Sequence, residues 1–175
     1  MSSISGFEIR EASYEDIPAI QEITREAFEK YVELAGIGNH IEALDETHDS
    51  IMADIDHKHV FVAFLDGTPV GSVRVEILEN NTAYLSRFGV RLDYQNSGIG
   101  KALMRVVDKV MSEEGIKKIV LHTASKVTSL VRFYYARGFY IDSTTKDRGY
   151  IRAMLVKDYG QEQPVFVQNK RRSSN

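Results

Sequence analysis

The stretch YQNSGIGKAL, Tyr94 to Leu103, places Gly98, Gly100 and Lys101 directly ahead of an amphipathic run. Glycines at the mouth of a helix let the backbone approach an anion. The first helical turn adds unpaired N–H groups and the positive end of the dipole. The chemistry on offer is therefore capture of a phosphate or similar anion by backbone donors. Two common versions fail on residue identity. A Walker loop needs glycine at position 95 and serine or threonine at 102, where Gln95 and Ala102 stand. A dinucleotide fingerprint needs a third glycine at 103, which is Leu103. A more general anion site remains, beside the plainer alternative that Gly98 and Gly100 only cap a buried helix.

Other reactive groups narrow the field. The chain has no cysteine, so disulfides, a thiolate zinc site and a thioester-forming nucleophile are all excluded. Of the five histidines, His57 and His59 could share one face of a strand, but no companion spacing resembles a metal site and none is expected. Glu33, Glu42, Asp45, Glu46, Asp49, Asp54 and Asp56 make the region from Tyr31 to Lys58 acidic. That charge favours a cationic partner, and a solvated helix face accounts for it equally well.

The elements that must position these groups follow from periodicity. Phe7 to Arg10 alternates as a short strand, and Ser13 with Asp16 three residues on predicts a capped helix running to about Tyr31. Glu42 to Ile55 suggests a second helix. His59 to Leu65 and Val70 to Leu78 read as a hairpin around Asp66-Gly67, and Thr82 to Val90 as a third strand. Ile99, Ala102, Leu103, Val106, Val107, Val110 and Met111 recur at helical spacing up to Gly115. Lys118 to His122 reads as a strand and Ser129 to Ala136 as a helix ending at Gly138. Phe139 to Asp142 with Tyr150 to Val156 forms a closing hairpin.

At 175 residues, 43% of them hydrophobic, the chain suits one domain, expected over residues 1–159 with a tail at 160–175. A net charge of -3 and a pI near 6.0 provide no global field to gather nucleic acid or coat an anionic membrane. The opening MSSISGFEIRE contains no apolar run like a signal peptide, and no stretch approaches the roughly 20 apolar residues of a membrane span. A cytoplasmic location is expected.

Three ordered motifs carry a resemblance. Gln95-x-x-Gly98-x-Gly100 after a strand and before a long helix resembles the acetyl-CoA pyrophosphate loop of the GNAT superfamily of N-acetyltransferases. Arg132 to Phe139, RFYYARGF, looks like that family's later segment ending in Tyr, three residues, Gly-Phe. Phe61 to Gly67 leading to Val70-Gly71-Ser72 is similar to its central hairpin. The likeness covers roughly residues 7 to 159.

The resemblance implies an α+β fold of α/β/α layers. Its mixed, mostly antiparallel sheet would have two parallel strands, Tyr84 to Val90 and Lys118 to His122, that splay apart to bind acetyl-CoA. The pantetheine would pair with backbone at Phe88, Gly89 and Val90, and the pyrophosphate would rest on N–H groups of Gln95, Asn96, Ser97, Gly98, Ile99, Gly100 and Lys101. Tyr134 matches the tyrosine that many members use to protonate the departing thiolate. Its plainer reading is a core aromatic, and Tyr135 is the second choice of donor. Val127 stands where many members carry asparagine, so Ser125, Lys126 or Ser129 would have to replace that contact. Glu76 is the nearest carboxylate to serve as base, and that role stays open. The acceptor would be a small-molecule or peptide amine. A non-catalytic coenzyme A-binding sensor on the same fold is the alternative, and the segment Pro164 to Val167 could add an edge strand in a homodimer.

Overall fold

Alternation along the second strand fixes the layers. Val60 and Val62 point to one face of the sheet and Phe61 and Ala63 to the other, and all four are buried, so each face needs its own cover. The computed structural model describes residues 6–38 and 40–160. The strands are β1 (Phe7–Glu11), β2 (His59–Leu65), β3 (Thr68–Ile77), β4 (Thr82–Val90), β5 (Lys118–Ala124), β6 (Tyr140–Thr145) and β7 (Arg152–Asp158). The helices are α1 (Ile17–Ala35), α2 (His48–His57), α3 (Ile99–Glu113) and α4 (Thr128–Ala136). The sheet order is β1-β2-β3-β4-β5-β7-β6, antiparallel throughout except for β4 with β5.

On one face, Ile17 and Ile20 of α1 and Ile51 of α2 pack against Val60 and Val62. On the other, Leu103, Met104, Val107 and Met111 of α3 bury against Val73, Val75, Ala83 and Leu121, and Tyr134 of α4 joins the same core. The layers are therefore α/β/α, as expected.

Local chemistry sets several boundaries. The Ser13 N–H donates to the Asp16 carboxylate at 2.8 Å, closing the expected cap ahead of α1, which runs four residues past Tyr31 to Ala35. Asp66 (φ 49°) and Gly67 (φ 78°) form the two-residue turn that the β2–β3 hairpin requires. The helix expected over 42–55 begins only at His48. Thr47 caps it by accepting from the Ser50 N–H at 3.1 Å, and residues Glu42–Leu44 form a separate 3-10 turn. The edge-strand segment proposed at Pro164 to Val167 lies outside the described residues.

The central feature is the parting of β4 and β5. They pair only over Thr82–Tyr84 with Lys118–Val120, although β4 continues to Val90 and β5 to Ala124. A bulge explains the divergence. Ser72 pairs with Gly89 and Arg74 with Ser86, so Arg87 and Phe88 both oppose Val73, and Arg87 takes a left-handed φ of 52°. Two residues against one bend a strand and raise its twist, which turns the end of β4 away from β5.

Candidate active site

The glycine turn lies at the open end of the parted strands. After a 3-10 turn at Leu92–Tyr94, the Gln95 N–H donates to the Leu92 carbonyl at 3.3 Å, and the Gln95 side chain donates to the Val90 carbonyl at 3.3 Å. Gln95 thus ties the loop to β4, and its backbone donor is already engaged. Asn96 (φ 61°) and Gly98 (φ 87°) reverse the chain, and the Ser97 hydroxyl donates to the Tyr94 carbonyl. The first N–H to close on the helix belongs to Ala102, which donates to the Gly98 carbonyl at 3.1 Å. Among the described residues, no protein acceptor takes the N–H groups of residues 96 to 101.

The two glycines differ in what they permit. Gly98 needs its left-handed backbone, and open space lies where a Cβ would point. Gly100 is already helical. A Cβ there would stand 3.0 Å from the Phe88 ring and 3.5 Å from the Phe133 ring, so the missing side chain of this glycine makes room for an aromatic contact. Ile99 turns its side chain into the core, leaving only its backbone to the turn. Lys101 is exposed and lines a groove between α3 and α4 with Arg105, Asp108 and Arg137.

Phe88, Gly89 and Val90 form the β4 lip of the cleft. The Phe88 ring stacks on Phe133 with centroids 5.3 Å apart and meets Tyr134 edge-on at 6.1 Å. Gly89 serves packing: a Cβ there would come within 2.8 Å of the Ala27 Cβ, so its absence seats α1 directly on β4. The opposite lip is Ala124 of β5, whose N–H donates to the Tyr31 hydroxyl oxygen at 2.7 Å. Burial pushes the Tyr31 hydroxyl up to about 12.

Tyr134 is buried among Phe88, Phe133 and Phe139. Burial, with a smaller contribution from nearby Tyr31, raises its pKa well above the usual phenol, so it holds its proton through the neutral range. Among the described residues its hydroxyl makes no hydrogen bond. Tyr135, one step round α4, is 50% exposed and faces away. Val127 is buried with Ala35 and Ala124 beneath Tyr31 and Tyr150, so the position where asparagine was expected joins the end of α1 to the β5–α4 turn. Ser125 contacts the Ile151 carbonyl at 3.4 Å instead of supplying a free donor.

Several sequence expectations change. Glu46 and Asp54 are not solvated charges. Arg74, 1% exposed, donates to both Glu46 oxygens at 2.6 and 2.7 Å and to Asp54 at 2.8 Å, and Arg87 Nε donates to Glu46 at 2.7 Å. Asp45 pairs with His40, and Asp56 accepts from the Tyr14 hydroxyl. Glu46 and Asp54 are thus taken up by internal contacts, whereas Glu33, Glu42, Asp45, Asp49 and Asp56 remain exposed, so the segment keeps an acidic outer surface. His57 ends α2 whereas His59 opens β2, so the two do not share a strand face. Glu76 lies opposite Tyr84 in the β3–β4 register, but its side chain is 47% exposed with Lys58 at 4.0 Å.

Two residues that the sequence reading passed over meet where the strands part. The Tyr84 hydroxyl and His122 Nδ1 are 2.7 Å apart. Their signal was polar residues alternating with apolar ones on otherwise buried strands, visible only once both strands are known to be neighbours.

Residues 17–139 match a family model described as the acetyltransferase (GNAT) family. A spermidine N(1)-acetyltransferase of Thermoplasma acidophilum is 27% identical over 147 residues, spanning 78% of this chain and 90% of that protein. The crystal structure of the PaiA N-acetyltransferase from Thermoplasma acidophilum, in complex with coenzyme A, superposes with a TM-score of 0.77 at 26% identity, covering 91% of this chain and all (100%) of that one. The ribosomal-protein-S18-alanine N-acetyltransferase of Escherichia coli shares the fold at a TM-score of 0.72 and 16% identity, covering 91% and 97% of the two chains.

Proposed function

The chain belongs to the GNAT family of acetyltransferases, and from that premise we propose that it transfers the acetyl group of acetyl-CoA to a primary amine by direct attack. The observation that carries the reading is the parted β4–β5 pair, with a donor-rich turn at its mouth and a protonated tyrosine inside it. The free edge of β4 offers backbone groups to the amides of pantetheine, as a sheet edge does to an added strand. The N–H groups of residues 96 to 101, at the start of α3, suit the pyrophosphate.

In this reading the amine lone pair attacks the thioester carbonyl carbon, and backbone donors on the β4 edge near Phe88 to Val90 stabilise the oxyanion that forms. The C–S bond then breaks, and Tyr134 donates to the thiolate. A coenzyme thiol of pKa about 8.5 is a stronger acid than a phenol of about 10, so complete transfer is uphill in water. Burial changes the comparison, because the site that raises Tyr134 also disfavours a bare thiolate. With no cysteine in the chain, no thioester to the enzyme precedes the attack.

The test is coenzyme A release measured against an amine panel: spermidine, free amino acids and peptide N-termini. Saturable, acetyl-CoA-dependent release with at least one of them is expected. Tight acetyl-CoA binding without release on any of the panel would favour the non-catalytic module, and no acetyl-CoA binding would sink both readings.

A further inference from the structure

The reaction needs a proton acceptor for the amine, and four carboxylates of this region already face cations. Glu46 and Asp54 are held by Arg74, Asp147 lies against Arg152, and Glu76 faces Lys58. The Tyr84–His122 pair remains. Tyr84 is the last residue of β4 in register with β5, opposite Val120. His122, two residues further along β5, points to the same sheet face, and the 2.7 Å contact joins the strands at the point where they diverge. The rings are tilted at 40° with centroids 5.6 Å apart, and both residues are half-buried.

We propose that Tyr84 and His122 take the proton from the acceptor amine, His122 receiving it through the Tyr84 hydroxyl. The inference rests on the acetyl-transfer reading above. As the amine nitrogen bonds to the carbonyl carbon, an N–H proton moves to the Tyr84 oxygen while the Tyr84 proton passes to His122 Nδ1. Tyr84 ends unchanged and His122 ends as imidazolium, its Nε2 proton retained. The C–S bond breaks, the thiolate takes the Tyr134 proton, and the imidazolium proton passes through water to the Tyr134 phenolate. The sum is amine plus thioester giving amide plus thiol.

The surroundings suit these states. Beside His122 stand Arg152 of β7, Arg148 and Asp147 of the β6–β7 connection, and, towards Tyr84, Arg87 of β4 with Tyr150. The Arg152 side chain is 10% exposed, its Nε buried without a partner and its Nη2 3.3 Å from each Asp147 oxygen, so its charge is only partly compensated. Burial first, then Arg152 and Arg148 against the opposing Asp147, hold His122 below the usual histidine range and therefore neutral at pH 7. Burial raises Tyr84 despite the three arginines, so its hydroxyl keeps the proton it donates to Nδ1. The same positive field disfavours a bound ammonium and favours the free amine that must attack.

The experiment is a set of pH–rate profiles with an amine that the wild type acetylates. Wild-type kcat/KM should rise through an inflection below about pH 6.5, where histidine ordinarily titrates. His122→Gln and Tyr84→Phe should each lower kcat by about 100-fold and lose that inflection, with acetyl-CoA affinity by calorimetry and the melting temperature little changed. Added imidazole should restore part of the rate of His122→Ala. A wild-type rate and profile in either Tyr84→Phe or His122→Gln overturns the pair, as does His122→Ala that binds acetyl-CoA normally yet gains nothing from imidazole. These outcomes are read only against a working wild type; a wild type that acetylates no amine removes the acetyl-transfer reading itself, and this one with it.

Discussion

At the scale of single residues, Tyr134 and Tyr135 show how one step along a helix separates a buried position from a solvent-facing one. A step of about 100° leaves the first inside an aromatic cluster and the second in water. Tyr134→Phe keeps the ring that packs on Phe88, Phe133 and Phe139 and removes only the hydroxyl. Turnover should fall by about 10- to 100-fold while acetyl-CoA affinity changes less than about twofold. Equal turnover would reduce Tyr134 to a packing residue. The position of Tyr134 was legible from its motif, and so was the turn ending at Gly98. The close packing at Gly89 and Gly100 was not: each lies against a particular side chain, Ala27 or Phe88, that arrives from elsewhere in the chain. Glu46 and Asp54 were read as surface charge for the same reason, since their partner Arg74 lies at least 20 residues away. The signal that could have linked them was an arginine amid the apolar run Val70 to Val75.

At the scale of elements, the parts governed by local chemistry were the parts that sequence predicted well. The Asp66-Gly67 hairpin and the stripe of α3 each carry their rule within a few residues. The β4 bulge does not, because it is a mismatch between two strands and exists only in their register. The contact of α1 with β4 is also a cross-element fact, and it can be tested as one. Gly89→Ala forces a methyl group towards Ala27 and should destabilise the fold by about 1–3 kcal/mol, the usual cost of overpacking. The second substitution Ala27→Gly should recover part of that loss despite its own helix penalty of about 1 kcal/mol, measured by denaturant unfolding of the two single variants and the double. Strictly additive effects would mean that the contact does not set the seating of α1.

At the scale of the whole molecule, two strands and the end of α3 are tied together on one face of the sheet. His59, at the start of β2, contacts Glu11 of β1 at 2.8 Å through Nδ1 and Glu114 beyond α3 at 2.7 Å through Nε2. Burial opposes its charge, yet the two carboxylates outweigh burial and raise its pKa above the ordinary 6.5. A raised folded-state pKa contributes stability that is complete below the unfolded value and is lost as pH rises through the folded one. The melting temperature should therefore decline as pH climbs above about 6.5, and His59→Gln should flatten that decline. An unchanged slope in the variant would assign the decline to other groups.

The helix α1 touches both lips of the cleft, pressing Ala27 onto Gly89 and receiving the Ala124 N–H at Tyr31. It works as the back of a spanner whose jaws are β4 and β5. The gap between them is then a product of how α1 seats on the sheet, set by folding itself.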